Sequence, residues 1–144
     1  MTRFLLDINV LIALIDPAHV QHNRAHAWFA AKGQRAWATC PLTENGVLRI
    51  VGHPRYPNSP GSPAAVAELL AQFRELPGHA FWPDDVSLLD RQQVNRARLL
   101  DSAHVADSYL LALARAHHGQ LATFDQRLVT DAVVMGRERL HLIR

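Results

Sequence analysis

The first apolar run of the chain, together with the acid that ends it, limits the possible folds more than any other stretch. Phe4 to Leu6 predicts a short buried strand, and Asp7 follows at the point where a second apolar segment predicts a helix. In open α/β sheets, ligands bind outside the carboxyl ends of the strands, beside the N-terminus of the next helix. Asn9 is a favourable helix N-cap, so Asp7 and Asn9 could instead simply cap the helix. The remaining sequence has to decide between these interpretations.

Predicted strands and helices alternate along the rest of the chain. Further strands are predicted at 35–39, 80–82, 120–124 and either 133–134 or 140–143, and helices at 10–15, 22–32, 41–52, 64–76 and 103–118, with a broken helix at 86–100. Such alternation implies parallel strands joined by right-handed crossovers. We therefore predict a single α/β domain over residues 1–144, with a central, mostly parallel sheet of four to five strands and helices on both faces.

Composition excludes several classes of protein. A chain of 144 residues with 49% hydrophobic residues can bury one ordinary core. No apolar run approaches the roughly 20 residues that span a bilayer, and the N-terminus lacks the layout of a secretory signal, so we expect a cytoplasmic protein without a membrane partner. The single Cys40 is interpreted as a core residue. A net charge of +2 does not by itself indicate nucleic-acid binding.

Three further acids stand at the ends or starts of predicted elements. Glu44 begins the helix after the second strand, Asp107 lies early in the helix at 103–118, and Asp125 follows the strand at 120–124. The crossover rule can place these three and Asp7 on one rim of the sheet. Four carboxylates in one place repel each other, so the grouping indicates a divalent cation. Oxygen ligands without cysteine or histidine favour Mg²⁺ or Mn²⁺ over zinc.

A carboxylate site for Mg²⁺ predicts phosphodiester hydrolysis. In this interpretation Asp7 and Asp107 hold one ion, while Glu44 and Asp125 orient a second ion or the attacking water.

Four segments together resemble the successive motifs of PIN-domain ribonucleases, and specifically the VapC toxin family of bacterial toxin–antitoxin pairs. These segments are Leu5–Leu11, Pro41–Gly46, Ala106–Ala114 and Leu121–Asp125, and their order and separation match over essentially the whole chain. The resemblance implies a metal-dependent endoribonuclease that acts on cellular RNA, forms a homodimer and is inhibited by a small antitoxin, which commonly places a basic residue among the acids. It implies catalytic and metal-binding roles for Asp7, Glu44, Asp107 and Asp125, with Asn9 and Thr123 supporting them.

One position departs from the family pattern. A hydroxyl residue often precedes the third acid, whereas this chain has Ala106. Ser108 or His104 could replace the missing hydrogen bond.

Two alternatives to a ribonuclease remain open. Aspartyl-phosphate phosphatases also place an acid after the first strand, but they carry a second aspartate two residues later, where this chain has Asn9. A catalytically inert interaction module is the other alternative.

Two sets of basic side chains are weaker candidates for binding. The histidines His19, His22 and His26 could form a metal site, although no carboxylate or cysteine is interleaved with them. Four arginines could contact the RNA backbone or could simply be solvated: Arg49, Arg91, Arg96 and Arg98.

Overall fold

A computed structural model describes residues 1–144 and contains one five-stranded sheet. Its strands are β1 (Phe4–Leu6), β2 (Trp37–Thr39), β3 (His79–Phe81), β4 (Gln120–Thr123) and β5 (Leu140–Leu142). The spatial order is β3-β2-β1-β4-β5, and every neighbouring pair is parallel. The predicted α/β class is confirmed, and the last strand lies at the second of its two predicted positions.

Five α-helices connect the strands. They are α1 (Ile8–Ile15), α2 (His22–Ala31), α3 (Pro41–Val51), α4 (Pro63–Arg74) and α5 (Val105–Ala116). Short 3₁₀ turns occupy Gly33–Arg35, Arg96–Arg98, Ser102–His104 and Gly136–Arg139. None of the helices has the length and apolar character needed to cross a membrane.

The sheet separates two hydrophobic clusters, because successive side chains of a strand point to opposite faces. Phe4 and Leu6 of β1 belong to the cluster formed with α1 to α4. Leu5, between them, belongs to the cluster that contains the buried face of α5. The helices therefore cover both faces of the sheet, as predicted.

The prediction of a broken helix at 86–100 is wrong. The segment contains turns, an isolated antiparallel bridge between Val94 and Val133, and one 3₁₀ turn. The side chains of Ser87, Asp90 and Asn95 each accept a hydrogen bond from the backbone N–H two residues further along. Such local bonds compete with helical hydrogen bonding and stabilise turns instead.

The predicted starts of two helices also need correction. Asp7, rather than Asn9, caps α1, because its carboxylate accepts the N–H of Ile8 at 2.8 Å. The helix α5 starts at Val105, two residues later than predicted, after a 3₁₀ turn in which Asp101 accepts the capping hydrogen bond. Asp107 therefore lies in the first turn of α5, closer to the helix N-terminus than predicted.

The central position of β1 determines where a ligand can bind. The chain extends the sheet from β1 to β2 and β3 on one side and places β4 and β5 on the other. A crevice forms at the carboxyl ends of the strands where the sheet changes direction in this way, between β1 and β4. Asp7 directly follows β1 at that point.

Candidate active site

Asp7 is a buried carboxylate at the end of the central strand. Its side chain is only 6% exposed. It accepts a hydrogen bond from the Thr123 hydroxyl at 2.7 Å and one from the Ile8 backbone N–H. Burial raises the pKa of Asp7 above its ordinary value, the two hydrogen bonds oppose that shift, and the charge of Asp125 adds to it. Asp7 is thus held in a fixed orientation in surroundings that disfavour its negative charge.

Thr123 connects three of the polar residues at this rim. It is fully buried at the end of β4. While its hydroxyl donates to Asp7, its oxygen accepts the backbone N–H of Asp125 at 3.1 Å and the side-chain amide of Asn9 at 3.4 Å. Asn9 and Thr123, the two residues predicted to support the acids, therefore contact each other.

Asp107 faces the same crevice from the first turn of α5. Burial and then the charges of Asp7 and Asp125 raise its pKa to about 6, although His104 acts in the opposite direction. No side chain of the protein donates a hydrogen bond to Asp107, so neither Ser108 nor His104 replaces the bond that a hydroxyl at Ala106 would make. Ser108 is instead buried on the core side of the helix.

The three aspartates Asp7, Asp107 and Asp125 form no ion pair with any basic side chain of the protein, because the only ion pairs are Arg74–Glu44 and His117–Asp85. No ion pair therefore offsets their mutual repulsion, which His104 opposes only in part at Asp107, and the buried Asn9 Oδ1 beside them also lacks a partner.

No three or more His, Cys, Asp or Glu side chains are grouped closely enough to hold a metal ion together. Mg²⁺ typically binds through only one or two carboxylates and retains several waters. The paired aspartates, with an unpartnered amide oxygen nearby, fit such an ion.

Glu44 lies on the β2 side of the rim and has other partners. Its Oε2 accepts the Thr39 hydroxyl at 2.6 Å, and Arg74 Nη1 lies 3.2 Å from Oε1 and 3.1 Å from Oε2. The structure thus brings Asp7, Asp107 and Asp125 into electrostatic contact and pairs Glu44 with an arginine. A metal-binding role for Glu44 stays a prediction, and any ion there would compete with Arg74.

The three histidines singled out from the sequence, and Cys40, are explained by their structural surroundings. His22 Nδ1 lies 2.7 Å from the Ala13 carbonyl and His26 Nε2 lies 2.8 Å from the Leu14 carbonyl, so both rings bind the end of α1. His19 Nδ1 accepts the backbone N–H of Gln21. Cys40 is completely buried, and burial raises the pKa of its thiol to about 11, as expected of a core residue.

Sequence reasoning missed Arg74 and the residues that accompany it. Arg74 ends α4, where a basic residue is ordinary helix chemistry. Its partner lies 30 positions earlier, so no local pattern could have identified the pair.

Comparisons with known proteins identify the family of the chain. The model of the PIN domain family matches residues 4–131. Ribonuclease VapC44 of Mycobacterium tuberculosis is 47% identical over 140 residues, which cover 97% of each chain. Ribonuclease VapC39 of the same organism is 41% identical over 128 residues, which cover 89% of this chain and 92% of the relative.

Solved structures show the same fold at lower identity. The FitAcB structure from Neisseria gonorrhoeae superposes with a TM-score of 0.60 and 22% identity, covering 85% of this chain and 87% of that one. The sarcin–ricin loop-cleaving toxin VapC20 of M. tuberculosis superposes with a TM-score of 0.61 and 12% identity, covering 91% and 96%. The chain described here belongs to the PIN-domain family and, within it, to the VapC proteins.

Proposed function

We propose that this protein is a metal-dependent endoribonuclease, the toxin of a type II toxin–antitoxin pair, which hydrolyses phosphodiester bonds in cellular RNA. The observation that carries the proposal is the group of three aspartates at the crevice beside β1, which repel each other without a basic partner. The relatives named as VapC ribonucleases support the reaction class.

The proposed metal ligands are Asp7 and Asp107, with Asp125 beside them. The raised pKa of Asp107 and Asp7 shows that these surroundings disfavour their negative charge, which a divalent cation would relieve. Mg²⁺ or Mn²⁺ at this position supplies Lewis-acid chemistry to phosphodiester hydrolysis. The domain that carries this chemistry is proposed to span residues 1–144, because β5 near the C-terminus pairs with β4 of the same sheet.

Other groups at the rim orient the aspartates and the RNA phosphate. The Thr123 hydroxyl fixes Asp7 and, through the backbone N–H of Asp125, holds the end of β4. The N-terminus of α5 adds a positive dipole end near Asp107, where the RNA phosphate would lie. In the reaction, water adds to phosphorus, one ester P–O bond breaks, and the departing ribose oxygen takes up a proton.

A small antitoxin is the proposed protein partner. A related solved structure contains VapBC2 from Rickettsia felis bound to a DNA fragment from their promoter, and its fold matches with a TM-score of 0.54. Beside Asp107, a mainly apolar cleft of about 630 Å³ is lined by Leu42, Val86, Leu88, Val105, Ala106 and Tyr109, with Asp84 and Ser102 among the lining residues. We propose that apolar side chains of the antitoxin occupy this cleft while a basic one reaches the aspartates.

The isolated chain is proposed to form a homodimer, as the resemblance to VapC toxins implies. Light scattering on the purified chain is expected to give twice the 16.1 kDa chain mass. A mass equal to one chain at micromolar concentration would contradict this part of the proposal.

The decisive experiment replaces Asp7 by asparagine, which keeps the shape of the side chain and removes its charge. Asp7→Asn is expected to abolish Mg²⁺-dependent cleavage of cellular RNA while circular dichroism shows an unchanged fold. Asp131→Asn is the matched control, because Asp131 is exposed and makes no side-chain hydrogen bond, and it is expected to cleave normally. Undiminished cleavage by Asp7→Asn would refute the assignment.

A further inference from the structure

Glu44 has a cation bound to it within its own chain. Arg74 Nη1 lies within 3.2 Å of both carboxylate oxygens, and the Glu44 side chain is only 16% exposed. Such a pair lowers the need for any other cation at this carboxylate. The β2 side of the rim is therefore compensated, while the Asp7 side is not.

The pair is held in place from two directions. Because the single proton of the Thr39 hydroxyl goes to Glu44, the 2.8 Å contact between Thr39 Oγ1 and His79 Nε2 requires His79 to donate. The guanidinium of Arg74 lies 5.1 Å from the centre of the Phe81 ring, a favourable cation–π contact. Thr39 of β2 thus supports Glu44, and Phe81 of β3 supports Arg74.

The strand register brings the residue that binds Glu44 close to the end of β1. Leu5 of β1 is paired with Ala38 of β2, so Thr39 stands level with Leu6, one residue before Asp7. Adjacent strands are about 4.8 Å apart, so the backbone of Thr39, whose hydroxyl donates to Glu44, lies one strand away from the end of β1.

Part of the guanidinium remains free. Only Nη1 of Arg74 has a protein partner, while Nη2 and Nε make no hydrogen bond within the chain. The side chain is 38% exposed. Guanidinium N–H groups in a fixed plane are well suited to bind phosphate oxygens.

We propose that Arg74 takes the place of a second metal ion in this protein, neutralising Glu44 through Nη1 and binding a phosphate of the RNA through its free N–H groups. The inference rests on the proposed ribonuclease function. It assigns one divalent ion per chain, on the Asp7 side, and makes Arg74 a positioning residue for the substrate.

Metal stoichiometry tests the first half of the proposal without requiring any activity. Calorimetric titration of the RNA-free protein with Mn²⁺ is expected to give one ion per chain for the wild type and two for Arg74→Gln. Glu44→Gln added to Arg74→Gln is expected to restore one. Two ions in the wild type, or one in Arg74→Gln, would overturn the inference.

Two control variants separate charge from position. Arg35→Gln makes the same change in charge at the opposite end of β2, where Arg35 is exposed and its side chain has no partner, and should bind one ion. Arg74→Lys keeps the charge and should also bind one ion. Thermal melts of all variants identify any that fail to fold. If Arg74→Gln does not fold, Arg74→Met removes the same charge while keeping an unbranched side chain, and it should also bind two ions.

Steady-state kinetics test the second half. Lysine keeps the charge but lacks the planar N–H groups that would bind the phosphate, so Arg74→Lys should raise KM about tenfold or more with a smaller change in kcat. An unchanged KM would overturn the phosphate contact. A wild type that binds no divalent ion at all would instead refute the proposed metal-dependent function, which keeps the two failures distinguishable.

Discussion

Two aspartates of equally low solvent exposure lie at the two ends of α1, and their pKa values are shifted in opposite directions. Asp7 caps the N-terminus and Asp16 the C-terminus, and each is 6% exposed. At Asp16, burial by itself would raise the pKa, but hydrogen bonds from Tyr56, Asn58 and the Ala18 backbone outweigh it, and the pKa lies below its ordinary value. At Asp7, burial outweighs the hydrogen bonds, and the pKa lies above its ordinary value.

The difference lies in what surrounds each carboxylate. Asp16 has donors on both oxygens, with the Asn58 amide at 2.7 Å and the Ala18 N–H at 2.9 Å on Oδ1, and it ties the loop after α3 to α1. Asp7 shares its surroundings with two other acids. Burial of an acid by itself therefore does not mark a functional site, whereas burial among like charges without an ion-pair partner marks a candidate for one.

Thr123→Val should give the largest effect of the three variants that sharpen this comparison. Valine keeps the shape but removes the hydroxyl that orients Asp7. Residues that orient metal ligands are worth about 10–100-fold in metal affinity or activity, so both should fall by that factor. Calorimetry with Mn²⁺ and cleavage assays measure it, and Thr123→Ser should restore most of the loss. Unchanged metal affinity in Thr123→Val would show that Asp7 needs no such support.

Asp16→Asn should change stability and leave cleavage intact. The amide presents its own N–H groups to the donors that now bind Asp16, so we expect a loss of about 2 kcal/mol, or roughly 6 °C in Tm. Thermal melts and kcat, measured on the same samples, check both halves. Cleavage that falls as it does in Asp7→Asn would remove the distinction between the two ends of α1.

Asp107→Asn should have the smallest effect, and it should be stabilising in metal-free protein. Because the folded-state pKa of about 6 lies above the ordinary value of 3.8, the protein loses stability as pH rises between these values, and the loss is complete above them. After allowing for solvent screening, we expect a gain of about 1 kcal/mol at about pH 8 that disappears near pH 4. Melts in chelator at both pH values measure it. A destabilised variant at pH 8 would show that burial and the neighbouring acids do not disfavour the charge of Asp107.

Local sequence patterns predicted most of the fold. The α/β class was predicted from apolar strands, from the positions of proline and glycine, and from acids at strand ends. These patterns are readable in the sequence because each depends on residues only a few positions apart. The prediction for residues 86–100 was wrong because polar side chains there accept hydrogen bonds from the nearby backbone. Hydrophobic periodicity does not report such bonds.

The sequence by itself placed Asp7, Glu44, Asp107 and Asp125 at one rim, since parallel strands with crossovers bring their carboxyl ends to the same edge. Only the tertiary structure decided what each carboxylate has as a neighbour. Whether Glu44 is paired with Arg74, or Asp16 with Tyr56 and Asn58, depends on side chains 30 to 42 positions away meeting at a few ångströms. Electrostatic interactions fall off over such short distances that the charge of a carboxylate is set by its contacts in space rather than along the chain.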